Sequence, residues 1–442
     1  MKKVYYQMFL TQASPLRIGN GQHADSDNDL MLDGRGLPFI PGTSIAGIIR
    51  HKAETFTSDE QVLMNLFGVV IPGDNTVAIP SRIIIGDAVL GCDTSNDNVL
   101  FGRRDGVGLE EWGTAKKKSK FDFQISETDS VYRSIIEWTG NDDQYQVEIE
   151  KIIEPILKHY IASGFEAGAR TSRGYGKFTV LIKKKLFNFP EELEQWMDFN
   201  PYSDNAFDDE EVLEGNQQSD SCEITLNFDF ISPFSVRVNT AKTEIMEDGS
   251  VPDAVPMENY KGNPVIPGTA WAGSFRHHMH DLLRDAGFRQ NSEEILEVDK
   301  VFGIEGSGSC GRSKISFSES EINIKDKDNQ KTSVMRTAID RFTAAPSNTA
   351  LFTNMVYSGG NGILHISFEK ESLPEKYLEL LAACICDLHL GLITVGGEAS
   401  VGRGIMRVTG LKYNGVDILD KMLATIDNNS SLDWLEEEKN NG

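Results

Sequence analysis

The chain has 442 residues, 39% of them apolar, and a formal net charge of −24 at pH 7; that is enough apolar material for ordinary cores. No run of about 18 apolar residues occurs, so no membrane-spanning helix is expected, and the opening MKKVYYQMFL is too short and too polar in its apolar part for a signal peptide. The five cysteines, Cys92, Cys222, Cys310, Cys384 and Cys386, show no Cys-x-x-Cys spacing, which argues against a zinc site or a disulfide framework and fits a reducing cytoplasm.

The acidity is uneven. Glu191 to Glu223 holds twelve acidic residues and no Lys or Arg, and the tail after Ile426 holds five against one Lys. Both read as solvated segments. Basic clusters persist at Arg103-Arg104, Lys116 to Lys120, Arg170-Arg173 and Lys183 to Lys185, so the net charge does not exclude nucleic acid.

Val4 to Leu10 reads as a strand, and Ser14 to Asp33 as a Gly/Asp/Asn-rich loop. A helix over Thr43 to Phe56, capped by Thr43 or Ser44, follows the turn Ile40-Pro41-Gly42. Ser81 to Val89 reads as a strand, Leu100 to Phe123 as a charged loop or hairpin, and Val147 to Ala162 as a helix. The glycine-rich loop Gly164 to Gly176 leads into a strand over Phe178 to Phe187, and the acidic stretch follows.

The order then comes back. Glu223 to Phe230 alternates as a strand, and Ser232 to Arg237 answers Ser14 to Arg17. The stretch Leu37 to Arg50, LPFIPGTSIAGIIR, returns 226 residues later as NPVIPGTAWAGSFR, Asn263 to Arg276. A helix to Leu283, a strand over Ser313 to Ser318, a loop over Arg336 to Phe352, a strand over Ile363 to Phe368 and a helix over Leu373 to Ile393 follow. The glycine loops align as Gly168, Ser172, Gly174 and Gly176 with Gly396, Ser400, Gly402 and Gly404, an offset of 228. Such self-similarity marks a duplicated unit. Each copy runs in a β-α-β-β-α-β-like order, so the expected fold is α+β, two tandem ferredoxin-like or RRM-like domains with inserted loops. The expected boundaries are 1–189, an acidic linker 190–222, 223–426 and a flexible acidic tail 427–442.

Each repeated feature also has a plain structural reading. Pro and Gly end an extended segment before a helix, and Gly after a helix is its ordinary stop. A helix N-terminus beside a small-residue loop is equally an anion site. Gly306 to Gly311 matches G-x-G-x-x-G but precedes a strand, so a dinucleotide site is not expected. His277 and His280 share a helix face but lack further zinc ligands in the sequence. Asp25, Asp27 and Asp29 mimic the start of a calcium loop, yet Leu30 and Gly36 stand where Gly and Glu are required.

IPGTSIAGIIR, the RDG loop after it and GARTSRGYGKF together resemble the CRISPR-associated RAMP superfamily. More narrowly, they are similar to RNA-binding backbone subunits of type III effector complexes, the "Cas seven" group, here fused in tandem as in III-D-like variants. The second copy departs from the pattern where Val401-Gly402-Arg403 replaces Arg173-Gly174-Tyr175. The resemblance implies binding along a guide RNA, a thumb-like hairpin over the guide–target duplex, and partners comprising guide RNA, target RNA, other backbone subunits and a large polymerase-like subunit. It also implies target-RNA cleavage by an aspartate in the loop before IPG, dependent on a divalent ion such as Mg2+, with Asp27 and Asp253 as catalytic and metal-holding residues. Each lies thirteen residues before the Ile of IPG. The implied RNA contacts are Arg17, Thr43, Ser44, Arg50, Arg103, Arg104, Lys116, Lys117, Lys118, Arg170, Ser172, Arg173, Gly174, Tyr175, Lys177, Arg237, Thr269, Arg276, Arg336, Arg341 and Arg403. Two alternatives stay open: a backbone subunit that holds RNA without cutting it, and a guide-processing endonuclease of the same superfamily leaning on His23 or His51.

Overall fold

A computed structural model describes the chain except residues 22–25, 27–28, 72–76, 92–99, 111–114, 204, 209, 216–220, 239–250, 304–310, 429–430 and 442. His23, Asp25, Asp27, Cys92 and Cys310 therefore lie outside the described residues. The chain forms two compact units. One comprises Met1–Phe101, Gln124–Thr171 and Tyr175–Ser219; the other comprises Gly102–Phe123, Ser172–Gly174 and Asp220–Gly442.

The first unit is built on strand Lys2–Gln12, which lies between Lys177–Asn188 and Val131–Gly140, with Ile83–Ile85 beyond. All pairings are antiparallel, in the order last, first, third, second. That is the ferredoxin-like arrangement expected from the element order. Val4, Tyr6, Met8 and Leu10 face the core under helices Gly42–Ala53 and Glu154–Ser163. Tyr5 faces the opposite side, where Ile135, Phe187 and Phe207 form a second cluster with Trp196 and Phe199 against it.

That second cluster revises the expected linker. Residues 190–215 are not a free acidic tether: they carry the helix Leu193–Asp198, and Glu211–Val212 adds to the sheet edge beside Lys183-Lys184. Aromatic side chains at 196, 199 and 207 supply the apolar face, and the acidic groups find cations on the sheet, as Glu210 does on Lys185.

The second unit repeats the order. Met406–Tyr413, Ser221–Phe230 and Asn361–Glu369 lie side by side, followed by Ile315–Phe317 and Ser320–Asn323. Strand Ser221–Phe230 alternates cleanly, with Cys222, Ile224, Leu226, Phe228 and Phe230 in the core and Glu223, Asn227 and Asp229 exposed. An antiparallel sheet with one wetted face reads this way. The tail is not free either. Helix Trp434–Asn441 docks with Trp434 and Leu435 in the core, and Lys421 pairs with Glu438.

The repeated IPG turn has one physical requirement in both units. A Cβ on Gly42 would lie 2.3 Å from the Ile85 carbonyl oxygen, and one on Gly268 would lie 2.2 Å from that of Phe317. Only glycine lets the helix start this close to the strand. The helix begins at Gly42 after Pro41, and the Gly42 N–H donates to the Asp87 carboxylate at 2.7 Å. Thr43 and Ser44 are not caps, because Asp87 already takes the leading donor.

Candidate nucleic-acid interface

The two glycine loops are held by the same stitching. In the first unit the Gly176 N–H donates to Pro15 O at 2.8 Å, Ala169 N–H to Arg17 O at 2.8 Å, and Lys177 N–H to the Ser14 hydroxyl at 2.9 Å. In the second, Gly404 N–H donates to Pro233 O at 2.9 Å, Gly397 N–H to Ser235 O at 2.8 Å, and Ile405 N–H to the Ser232 hydroxyl at 2.9 Å. Each loop also places one non-glycine residue in the left-handed region, Arg170 at φ +63° and Glu398 at φ +67°. These two are 228 residues apart, so they occupy the same position in the two copies.

In the first unit this position faces Arg17. Burial and the neighbouring Arg170 guanidinium pull Arg17 down to about 10, with Tyr175 opposing. Two guanidiniums close enough to disfavour each other's charge suit an anion between them. Lys177 and Ser172 are half-buried, and Tyr175 and Gly174 are buried. Thr43, Ser44 and Arg50 lie exposed on the helix after IPG.

Lys116, Lys117 and Lys118 are exposed on the hairpin Phe101–Leu109/Ala115–Ser126. Arg103 pairs with Asp122 at 3.2 Å. Arg104 is only 1% exposed and grips Glu319 through Nε at 3.1 Å and an Nη at 3.0 Å. Arg173 donates to Phe302 O, at the end of helix Glu293–Phe302, at 2.7 Å. These two arginines are thus engaged as packing groups.

In the second unit three of the expected cations converge. Arg237 at 2.7 Å, Arg336 at 2.9 Å and Arg403 all pair with Glu398, which also accepts from Asn354 at 2.7 Å. Asp253 and Phe352 line one groove of about 290 Å³ together with Arg237, Arg336, Asn354 and Glu398. Asp253 is exposed, and its carboxylate accepts from Thr353 N–H at 2.7 Å. Arg341 is exposed and lies over Phe342, and Thr269 is half-buried. Arg276 is tied to Asp299, shared with His280. His278 pairs with Asp387, and His277 with Asp281.

A divalent ion does not fit at Asp253. Its neighbours are guanidiniums, and both oxygens of the nearby Glu398 already accept from cations and Asn354. Among the described residues no group of three or more His, Cys, Asp or Glu is placed to hold a metal. Sequence reasoning missed Glu398 and Asn354. The signal for Glu398 was present: the 228-residue offset carries Arg170 onto it.

Seven residues before the Ile of IPG, Asp33 and Asn259 are turn caps in the two copies. Asp33 accepts from Arg35 N–H at 2.8 Å and Leu37 N–H at 3.0 Å; Asn259 accepts from Lys261 N–H and Asn263 N–H at 3.0 Å each.

Two ferredoxin-like units with stitched glycine loops define a duplicated α+β protein. A family model, the RAMP superfamily, matches residues 10–179 and 228–407. The matches cover more than half of the chain, so it belongs to the RAMP superfamily, whose members carry CRISPR-associated RNA-binding roles. A search of the curated proteins found no match. No helix among the described residues is long and apolar enough to cross a membrane.

Proposed function

We propose that the chain is a tandem backbone subunit of a type III-like RNA-guided effector, binding guide RNA and cleaving complementary target RNA. The observation that carries the binding half is the first glycine loop, where the Ala169 N–H bond to Arg17 O brings the neighbouring Arg170 close enough to disfavour the Arg17 charge. Such a pair contacts phosphate without reading sequence. Lys116, Lys117 and Lys118 are exposed on the hairpin and are further candidates for backbone contact.

Cleavage is assigned to Asp27 and, as the weaker site, to Asp253. RNA carries its own nucleophile. A loop carboxylate accepts the 2′-OH proton, the 2′-oxygen attacks phosphorus, and the 5′-oxygen leaves and takes up a proton. The products are a cyclic phosphate and a 5′-OH end. Splaying the nucleotide supplies the in-line geometry. Asp27 lies outside the described residues; of its neighbours, Ser26 donates to the buried Asp29 carboxylate through its N–H at 2.9 Å and its hydroxyl at 2.8 Å. Asp253 is the weaker candidate because one of its oxygens is already used by Thr353.

The test is a labelled target, a matched guide, divalent ion and the assembled complex. Asp27→Ala should slow one cut by about a hundredfold or more while target binding persists. Unchanged cutting with both Asp27→Ala and Asp253→Ala would overturn the catalytic assignment of the two aspartates.

A further inference from the structure

The second glycine loop has the donors of an anion site and carries its own anion. Glu398 is about nine-tenths buried, and its two oxygens collect Arg237, Arg336, Arg403 and the Asn354 amide. A phosphodiester also presents two charged oxygens, and several guanidiniums converging on one such pair is how proteins hold phosphate. Burial pulls Arg403 below its ordinary range; Glu398 resists this, while Arg336 and Arg237 add to it. Three guanidiniums are thus crowded around Glu398, and with Asp253 also lining the groove one positive charge remains in excess. The loop makes room for this. A Cβ on Gly397 would lie 2.9 Å from Arg237 Nε, and the first loop has Ala169 at that position.

We propose that the second glycine loop is a phosphate-binding site held closed by Glu398, and that RNA engages the second repeat by displacing this carboxylate. The ligand class is a backbone phosphate of single-stranded RNA. The proposal rests on the RNA-binding reading above, and it makes Glu398 a built-in competitor that weakens the second repeat relative to the first. The first repeat carries Arg170 at the equivalent position and has no such competitor from that residue.

The experiment uses the full chain, an unstructured single-stranded RNA and, separately, inorganic phosphate. Glu398→Gln keeps the shape of the side chain and removes its charge. It should tighten RNA binding about tenfold at moderate salt and steepen the salt dependence by about 0.7 for each phosphate newly held. Adding Arg237→Ala and Arg336→Ala to Glu398→Gln should abolish that gain. Inorganic phosphate should raise the melting temperature of Glu398→Gln more than that of the parent. If the substitution loosens the loop, phosphate should restore the lost stability. Unchanged or weaker RNA binding together with no added response to phosphate overturns the proposal. A parent protein that binds no RNA, beside a variant stabilised by phosphate, would sink the RNA reading and leave the anion site standing.

Discussion

The two glycine loops share a backbone and differ in charge. Both are stitched to the preceding Ser-Pro segment by the same three hydrogen bonds, and both put a charged residue at positive φ. In the first loop that residue is Arg170 beside Arg17; in the second it is Glu398 among three arginines. The backbone is set by glycines and by carbonyl acceptors, so side chains at the left-handed position are free to change sign. Fold and side-chain charge are therefore separable here: the same loop position carries an arginine in one copy and, in the other, a glutamate that pairs with three arginines.

The shared backbone can be broken first, with the largest effect. A Cβ on Gly176 would lie 1.8 Å from Ala167 O, and one on Gly404 would lie 2.2 Å from Val395 O; both glycines have positive φ. Gly176→Ala and Gly404→Ala should each cost about 3 kcal/mol or more, from a clash plus backbone strain. Thermal unfolding of the two variants checks this. A large loss for one and none for the other would mean that the loops are not equivalent.

The charge difference is tested next. Arg17→Ala with Arg170→Ala should weaken single-stranded RNA binding about tenfold and reduce the salt slope by about 1.4, the value for two phosphate contacts. Arg104→Ala is the contrast. It breaks a buried pair with Glu319, so it should lower the melting temperature and leave the salt slope unchanged. An unchanged slope for the Arg17 and Arg170 variant would remove the first loop from the interface.

Much of this architecture is legible in the sequence because local chemistry fixes it. The IPG turns and glycine loops need glycine for close approach and positive φ, and those needs leave an exact offset. The central strands were read over Val4 to Leu10 and Glu223 to Phe230, inside the observed spans. The strand Val131–Gly140 was not read. Tyr132, Ser134, Ile136 and Trp138 fill one face, but the polar Ser134 on that face and the buried Ile135 on the other blur the alternation. The acidic stretch was taken for a linker because its charges outnumber its aromatics. Trp196, Phe199 and Phe207 still suffice to cover Tyr5 and Phe187. In the site, the cations at 237, 336 and 403 were legible singly. Their convergence on Glu398 was not, because it depends on strands far apart in the chain. Asp253 is implied by the family resemblance and its spacing before IPG, and its tie to Thr353 comes from the hairpin beside it.

The smallest difference between the copies lies at the turn before IPG, where Asp33 and Asn259 do the same work with different charge. Both side chains accept two backbone N–H groups, and Asp33 also takes the Arg35 guanidinium at 2.9 Å. Burial pushes the Asp33 carboxyl up, but the hydrogen bonds from Leu37 and Arg35 outweigh it and hold the group below its ordinary value. A carboxyl depressed in the folded state adds stability above its unfolded value of about 3.9, and that contribution fades as pH falls through the folded value. The first turn should therefore loosen in acid below about pH 4, and the second should not respond through Asn259. Asp33→Asn copies the second turn into the first. At pH 7 it should change stability by less than about 1 kcal/mol, since the amide oxygen keeps the backbone contacts and the lost ion pair is largely open to solvent. Acid titration of the melting temperature should show a flatter profile for the variant. A large loss at pH 7 would mean that the Arg35 pair, which Asn259 lacks, is what holds the first turn.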